Sequence, residues 1–128
     1  MVANFQPIFG LTPVVGQVSI ATANANRDGT GALGTLKTGT ANGTRVDFVV
    51  VKSTVTTTTG VVRVYIDDGA GNIYLWDEIL ITAITPSATV AAFRGIIQLG
   101  FMLPSGYILK ISTEKAETFR CFVHGADY

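Results

Sequence analysis

A glycine-rich segment is the first part of the sequence whose residue types suggest chemistry. Residues 29–34, GTGALG, match the G-x-G-x-x-G pattern of dinucleotide-binding loops, and Asp47 follows at about the distance of a ribose-binding acid. In those proteins the loop leaves a buried strand and opens a helix whose N-terminus receives the pyrophosphate. Here the loop follows polar residues and continues into sequence rich in Thr and Gly. We therefore expect a flexible glycine loop and no cofactor.

Four oxygen-bearing side chains could in principle bind Ca²⁺, which prefers several oxygen ligands. They are Asp28, Asp67, Asp68 and Asn72. Their spacing does not fit an EF-hand loop, and Asp68 followed by Gly69 is the pair that a tight hairpin turn selects. The pattern therefore predicts a turn, and we expect no metal site.

Asp77 and Glu78 are the adjacent carboxylates that could be considered for acid–base chemistry. Neighbouring residues of a strand point to opposite faces, so these two cannot act together as a catalytic pair. We expect instead a cross-strand salt bridge to Arg63, Arg94 or Arg120.

The single histidine and the single cysteine also lack a catalytic setting. His124 follows the last predicted strand, in a polar tail spanning His124–Tyr128, and no G-x-S-x-G elbow is present. Cys121 alternates in phase with Phe119 and Val123, which predicts a buried structural thiol. A lone cysteine also forms no internal disulfide and no cysteine-based zinc site. We expect a protein that is not an enzyme.

The amino-acid composition indicates which classes of binding partner to expect. The 128 residues carry nine Lys plus Arg and nine Asp plus Glu, and charged residues make up 14%, against about 25% in an average soluble domain. Without a basic surplus, nucleic acid is not an expected partner. No apolar run is long enough to span a membrane, and the N-terminus does not resemble a secretory signal. The low charge predicts a surface suited to contact with other proteins.

Short alternating segments separated by Gly and Pro turns indicate the fold class. We predict an all-β protein, an antiparallel β-sandwich or jelly roll of about seven to eight strands. The predicted strands lie at 16–21, 35–40, 44–51, 62–67, 73–84, 90–99, 107–112 and 119–123.

Two details of these strands can be tested by the structure. Val46, Phe48 and Val50 alternate with Asp47, Val49 and Val51, which predicts a mostly buried strand. The long strand at 73–84 carries two charges at its centre, where we expect a bulge or bend.

The first fifteen residues are expected to form a separate unit. Residues 1–15 are apolar but interrupted by Pro7, Gly10 and Pro13, so we predict an extended N-terminal arm followed by one domain at 16–128. The arm either folds onto its own domain as an edge strand or reaches a neighbouring subunit. Its large apolar side chains are candidate interface residues: Phe5, Ile8, Phe9 and Leu11.

Four further aromatic side chains lie on the non-core face of their predicted strands. They are Tyr65, Tyr74, Trp76 and Phe122. Such residues can stack on sugars, anchor a subunit interface, or be covered within the chain by the arm and the Thr22–Gly43 segment. We include them as candidate interface residues, with a carbohydrate-binding platform as the alternative.

From about residue 40 to the end, the chain resembles small, mostly uncharacterised proteins encoded among the structural genes of tailed bacteriophages. The segments that carry the resemblance are 46–51, 53–69 (STVTTTTGVVRVYIDDG), Glu78-Ile79, 85–89 (TPSAT), 103–106 (LPSG) and the ending 125–128 (GADY). The resemblance implies a virion protein, first a capsid decoration or cement protein, and next a tail or head-fibre component. It implies the major capsid protein or other virion proteins as partners. No catalytic or ligand residue is carried over.

The resemblance and the composition together predict a homo-oligomer, a trimer or a pentamer-like cluster with the trimer favoured. A shell offers many equivalent binding sites, and closure by symmetry favours oligomers. Its expected location is the virion, assembled in the host cytoplasm. A carbohydrate-binding module for host attachment is the alternative from another class.

Overall fold

A computed structural model describes residues 10–128 of the chain. Within that range all regular structure is β-strand, in eight strands. They are β1 (Thr12–Ile20), β2 (Gly34–Thr38), β3 (Thr44–Ser53), β4 (Gly60–Asp67), β5 (Ile73–Ile81), β6 (Arg94–Leu103), β7 (Ile108–Thr113) and β8 (Phe119–Asp127). The described residues contain no helix that is long and apolar enough to cross a membrane.

The strands form two antiparallel sheets that pack as a sandwich. The first sheet has the order β1-β8-β3-β6, and the second has the order β2-β7-β4-β5. The pairs β4–β5, β3–β6, β2–β7 and β1–β8 are nested within one another, as in a long hairpin that has been rolled up. This nesting is the topology of a jelly roll. The predicted all-β sandwich is confirmed.

The core lies between the two sheets and consists of alternate side chains from nearly every strand. In β4, Val62 and Val64 are completely buried in it, while Arg63 and Tyr65 point to the outer side of the second sheet. Phe93 and Phe119 meet edge to face, with ring centroids 6.4 Å apart. Because β-strands alternate their side chains between two faces, these positions followed directly from the sequence pattern.

The alternation in β3 is interrupted by a bulge that the sequence did not predict. The pairing of β3 with β8 shifts between Val46 and Phe48, so that one residue of β3 has no direct partner on β8. Val46 therefore faces the core together with Val49 and Val51, whereas Phe48 lies on the outer side. The expectation that Val46 and Phe48 share a face is wrong.

Gly125 explains how β8 accommodates this bulge. It pairs with Val46, and a Cβ atom at this position would overlap the backbone carbonyl of Arg45. The two backbones can approach this closely only where the side chain is a hydrogen atom.

The ends of the chain differ from the predicted boundaries. β1 begins at Thr12 and includes Pro13, so the strand takes in the last residues of the predicted arm. A proline is tolerated there because β1 is an edge strand. At the other end β8 continues to Asp127, so His124 belongs to a strand and not to a polar tail. Phe5, Ile8 and Phe9 lie outside the described residues.

Two other strands have shifted limits. β5 ends at Ile81, and its irregularity lies where Val64 pairs with Asp77 and Tyr65 with Leu75, which leaves Trp76 as the extra residue. A bulge was expected one residue later, at the charged pair. β6 begins at Arg94, four residues later than predicted, and extends to Leu103.

Residues 22–33 cover part of the outer side of the second sheet, over β7 and β4. The backbone amide of Asn24 donates to the carbonyl of Thr113 at 2.8 Å. The side-chain amide of Asn24 donates to two backbone carbonyls of its own segment. The hydroxyl of Tyr65 donates to the carbonyl of Asn26 at 2.7 Å. The Thr- and Gly-rich segment is thus an ordered layer on this part of the sheet, and of the four aromatic side chains in the intrachain alternative it covers Tyr65.

Candidate interaction surfaces

The outer side of the first sheet, here called the open face, carries apolar side chains. The register places the outward residues of the four strands in rows that run across the sheet. Its apolar members are Val15, Phe48, Val50, Ile96, Met102 and Phe122. Val15, Ile96 and Met102 are exposed large hydrophobic residues, and Phe48, Val50 and Phe122 are half-buried. Contiguous exposed apolar residues of this kind are typical of a contact surface.

His124 lies in the same face and packs against Phe48. Their rings are stacked with centroids 4.6 Å apart and an interplanar angle of 21°. In the register, His124 pairs with Phe48 on one side and Val15 on the other. Its neighbours on the adjacent strands are therefore apolar, and this geometry gives the imidazole a packing role.

A second apolar surface, here called the aromatic edge, lies where β5 and β6 meet at one side of the sandwich. Trp76 of β5 contacts Phe101 of β6, with ring centroids 4.8 Å apart and an interplanar angle of 59°. Tyr74 is 63% exposed and Trp76 is 48% exposed. Large aromatic side chains that remain exposed are the kind that anchor interfaces or stack on sugars.

The chain matches no protein-family model, and no curated protein matches it significantly. The chemistry and geometry of its own surfaces are therefore the basis for proposing a function.

The structure shows which of the predicted interface residues are exposed. Tyr74 and Trp76 are exposed on the aromatic edge, and Phe122 is half-buried on the open face. Leu11 is exposed beside β8, where its amide donates to the carbonyl of Asp127 at 2.8 Å. Tyr65 has no exposed area, because residues 22–33 cover it. Tyr65 is thus removed from the candidate surface.

Sequence reasoning missed several members of the open face. The sequence pattern placed Phe48 and Val50 on the same face as Val46, but the bulge in β3 turns both residues outward. The outward position of Phe122 was predicted correctly, because β8 alternates without interruption. Phe122 of β8 pairs with Val50 of β3. Aligning these two strands would therefore have indicated that Val50 also points outward.

The expected salt bridge within the second sheet is present. The guanidinium Nε of Arg63 lies 3.2 Å from Oε2 of Glu78 on the neighbouring strand, and Arg27 approaches the same oxygen at 3.6 Å. Arg63 was one of three candidates, and the structure selects it because it pairs directly with Glu78 in the register of β4 and β5. Asp77 is exposed and makes no ion pair within the described residues.

The oxygen-bearing residues considered for calcium serve local structure. Asp28 accepts hydrogen bonds from the hydroxyl and the amide of Thr30, which lower its pKa. Asp67 accepts from the amide of Gly69 and pairs with Lys110 at 3.0 Å, and both contacts lower its pKa. Asp68 closes the predicted hairpin turn through Asn72. Residues 10–128 contain no group of three His, Cys, Asp or Glu side chains arranged to hold a metal ion.

The glycine-rich loop and the thiol also have structural settings. Gly29 lies against Ile73, and Gly31 lies against the side chain of Asn24, so the loop packs onto the second sheet and leads into a strand instead of a helix. Cys121 is buried in the core, and burial raises its pKa to about 12. Such a thiol is protonated and unreactive at neutral pH.

Proposed function

We propose that this chain is a non-enzymatic structural protein of a phage virion, a capsid decoration protein that binds the shell as a homo-oligomer. The open face is the observation that carries the proposal. Residues 22–33 bury Arg63 and Tyr65 on the outer side of the second sheet and leave Leu75 and Leu80 of its edge strand exposed. The outer side of the first sheet carries exposed or half-buried apolar side chains on all four of its strands. A sandwich that carries apolar side chains across all four strands of one outer side is suited to lie on another protein.

The fold and the composition support the same proposal. Jelly rolls recur in viral capsid and lectin domains, although a fold by itself does not set function. A charged fraction of 14% gives a surface that loses little hydration when it is covered. On a shell with many equivalent sites, each copy needs only modest affinity, and oligomerisation multiplies it.

Two separate apolar surfaces fit a decoration protein that must contact both its copies and its support. The aromatic edge, with Tyr74 and Trp76, is suited to contacts between subunits. We propose a trimer as the assembly, and sedimentation of the purified chain measures its mass directly.

The deciding experiment is the copy number of the chain in purified virions, measured by quantitative mass spectrometry. A shell protein is present in hundreds of copies, since capsids repeat their subunits many times. A handful of copies would instead place the chain in a tail or head fibre, and absence from particles would overturn the proposal.

The N-terminal segment can be tested separately. Because Gly10 lies against Ala126 and Leu11 bonds to Asp127, a deletion should stop before these residues. Removing residues 2–9 takes away Phe5, Ile8 and Phe9 and leaves β1 intact. We expect a folded protein with reduced occupancy of the virion. Wild-type occupancy by this variant would show that the segment is not an assembly arm.

The second candidate is a carbohydrate-binding module, favoured by the exposure of Tyr74 and Trp76 on one edge strand. Exposed aromatic rings provide apolar platforms for sugar faces. This function predicts saturable binding to a glycan or to host envelopes that Trp76→Ala abolishes. Tyr65→Phe is the matched control, because Tyr65 is buried and should leave glycan binding unchanged.

A further inference from the structure

Three cations lie side by side at one end of the open face. Lys52 of β3 pairs directly with Arg94 of β6 on one side and with Arg120 of β8 on the other. Directly paired residues of neighbouring strands point to the same side of a sheet, so the three side chains form one row, here called the cation row.

The cation row has no carboxylate partner in the described part of the chain. None of the ion pairs within 4.0 Å includes Lys52, Arg94 or Arg120. Residues 1–9 contain no Asp or Glu, so they cannot supply a side-chain carboxylate either. Lys52 donates to the carbonyl of Ala92 at 2.9 Å, and Arg120 approaches the hydroxyl of Ser19 at 3.4 Å.

Such a row opposes the stability of the isolated chain. Like charges directly opposite each other on a sheet repel, and a single acidic residue at the central position would convert both contacts into attractions. Elsewhere the same chain does pair its cations across strands or segments, as Arg63 does with Glu78 and Lys37 with Asp127. Of the nine Lys and Arg side chains, five make ion pairs within the described residues. Three of the other four form the row, and the fourth, Lys115, lies in an exposed loop.

The row borders the apolar part of the open face. The next outward row consists of Gln17, Phe122, Val50 and Ile96, in that order across the sheet. A shallow depression of about 280 Å³ lies at the junction, lined by Gln17, Ser19, Arg120 and Phe122 together with Val18 and Cys121. A partner that covers this junction must therefore present apolar side chains opposite the strip and negative charges opposite the cations.

We propose that this junction docks a surface of a different protein, one that presents two or three carboxylates beside an apolar strip. The inference deepens the proposed function and rests on it: the partner is then the subunit of the shell. The carboxylates would neutralise the cation row, while Phe122, Val50 and Ile96 would be covered by the strip.

Charge complementarity favours a different protein over a second copy of this chain as the partner. Of the carboxylates that make no ion pair within residues 10–128, Asp28, Asp68 and Glu117 accept hydrogen bonds from Thr30, Asn72 and Thr58 of their own chain. The exposed Asp77 of the aromatic edge is a single carboxylate next to Trp76. A contact of the open face with the aromatic edge of another copy would therefore leave most of the cation row unpaired in a buried interface, which is costly.

Nucleic acid fits the surface less well. Three cations release few counterions, and the neighbouring residues are apolar instead of cationic. Arg45, the further cation on this face, is already paired with Asp47 at 3.1 Å.

The central test is Lys52→Glu, because it separates folding from docking. We expect its melting temperature to rise above that of the wild type, since Glu at this position pairs with Arg94 and Arg120. At the same time we expect its copy number on purified particles to fall on the order of tenfold. The matched control is Lys115→Glu, the same charge change in an exposed loop, with wild-type occupancy expected.

A second variant guards against an unexpected effect of Lys52→Glu on folding. Arg94→Gln combined with Arg120→Gln removes two charges without adding one, and we again expect lower occupancy. Wild-type protein should also leave the particles more readily in about 1 M salt than in about 0.1 M, because screening weakens exposed charge pairs.

The outcomes distinguish the two proposals. If the wild-type chain occupies particles and Lys52→Glu does so equally well, the docking inference is wrong and the decoration role stands. If the wild-type chain is absent from particles, the decoration role fails and the inference fails with it. Binding of the wild type to duplex DNA that Lys52→Glu abolishes would show that the cation row recognises phosphate, which also overturns the inference.

Discussion

Arg63 is a buried cation whose charge is neutralised by Glu78 on the neighbouring strand. The guanidinium is 4% exposed, and its Nε lies 3.2 Å from Oε2 of Glu78, which is itself only partly buried. A second donor of the same guanidinium lies 3.4 Å from the carbonyl of Asn24 in the covering segment. The pair thus connects β4, β5 and residues 22–33.

Replacing Glu78 by Gln should destabilise the fold by about 2 kcal/mol, because a buried cation then lacks its counter-charge. Chemical denaturation followed by intrinsic fluorescence measures this change. The control is Asp77→Asn, one residue away and exposed, for which we expect a change within about 0.5 kcal/mol. Equal effects of the two substitutions would show that Arg63 does not depend on Glu78.

Tyr65→Phe should loosen the covering segment selectively. The substitution removes the hydroxyl that donates to Asn26 and leaves that carbonyl without its partner, at a cost of about 1 kcal/mol. Faster hydrogen exchange of the Asn24 amide, which bonds to Thr113, is the expected signature. Tyr74→Phe serves as the control, since Tyr74 is exposed. Unchanged exchange at Asn24 in Tyr65→Phe would contradict the role assigned to the hydroxyl.

Gly125→Ala should be among the most damaging small substitutions in the chain. A Cβ atom there overlaps the carbonyl of Arg45, so β3 and β8 must move apart at the bulge, at a cost of about 3 kcal/mol. The loss is measured as a lower melting temperature and a lower denaturation midpoint.

The comparison for Gly125 is Gly100→Ala. Gly100 has a positive φ of 72° but open space around its Cβ position, so we expect only a conformational cost of about 1 kcal/mol. A milder effect at Gly125 than at Gly100 would mean that the bulge tolerates a side chain.

The free energy of unfolding should depend on pH through the ionisation of Asp127. The hydroxyl of Thr44, at 2.6 Å, and the ammonium of Lys37, at 3.2 Å, lower the pKa of Asp127. Because the folded pKa lies below the unfolded value of about 3.9, the contribution of the carboxylate is present above that pH and is lost as the pH falls through the folded pKa.

Asp127→Asn should therefore be less stable than the wild type at pH 7, by about 0.5–1 kcal/mol for a pair that is partly exposed. The difference should shrink below about pH 4. Denaturation midpoints at several pH values measure it, with Asp77→Asn as the control. A difference that is the same at pH 7 and pH 3 would show that the charge of Asp127 is not its source.

The sequence alone was sufficient for the fold class and for the strands with uninterrupted alternation. In β4 and β8 the position of a residue in the alternation identifies its face, because side chains of a strand point alternately to its two sides. The turn at Asp68–Asn72 followed from a similarly local rule. The sequence also predicted a cross-strand salt bridge, but the register of β4 and β5 selected Arg63 from the three candidate arginines.

Only the tertiary structure decided which outward residues remain exposed. Tyr65 and Phe122 both point away from the core, but residues 22–33 cover the first and leave the second at the surface. The bulge in β3 likewise moves Phe48 to the open face, and it depends on Gly125, which is distant along the chain. The cation row exists because β3, β6 and β8 are aligned in one particular register. Alternation is a local property of the backbone, whereas coverage and register depend on contacts between distant segments, and these determine the candidate surface.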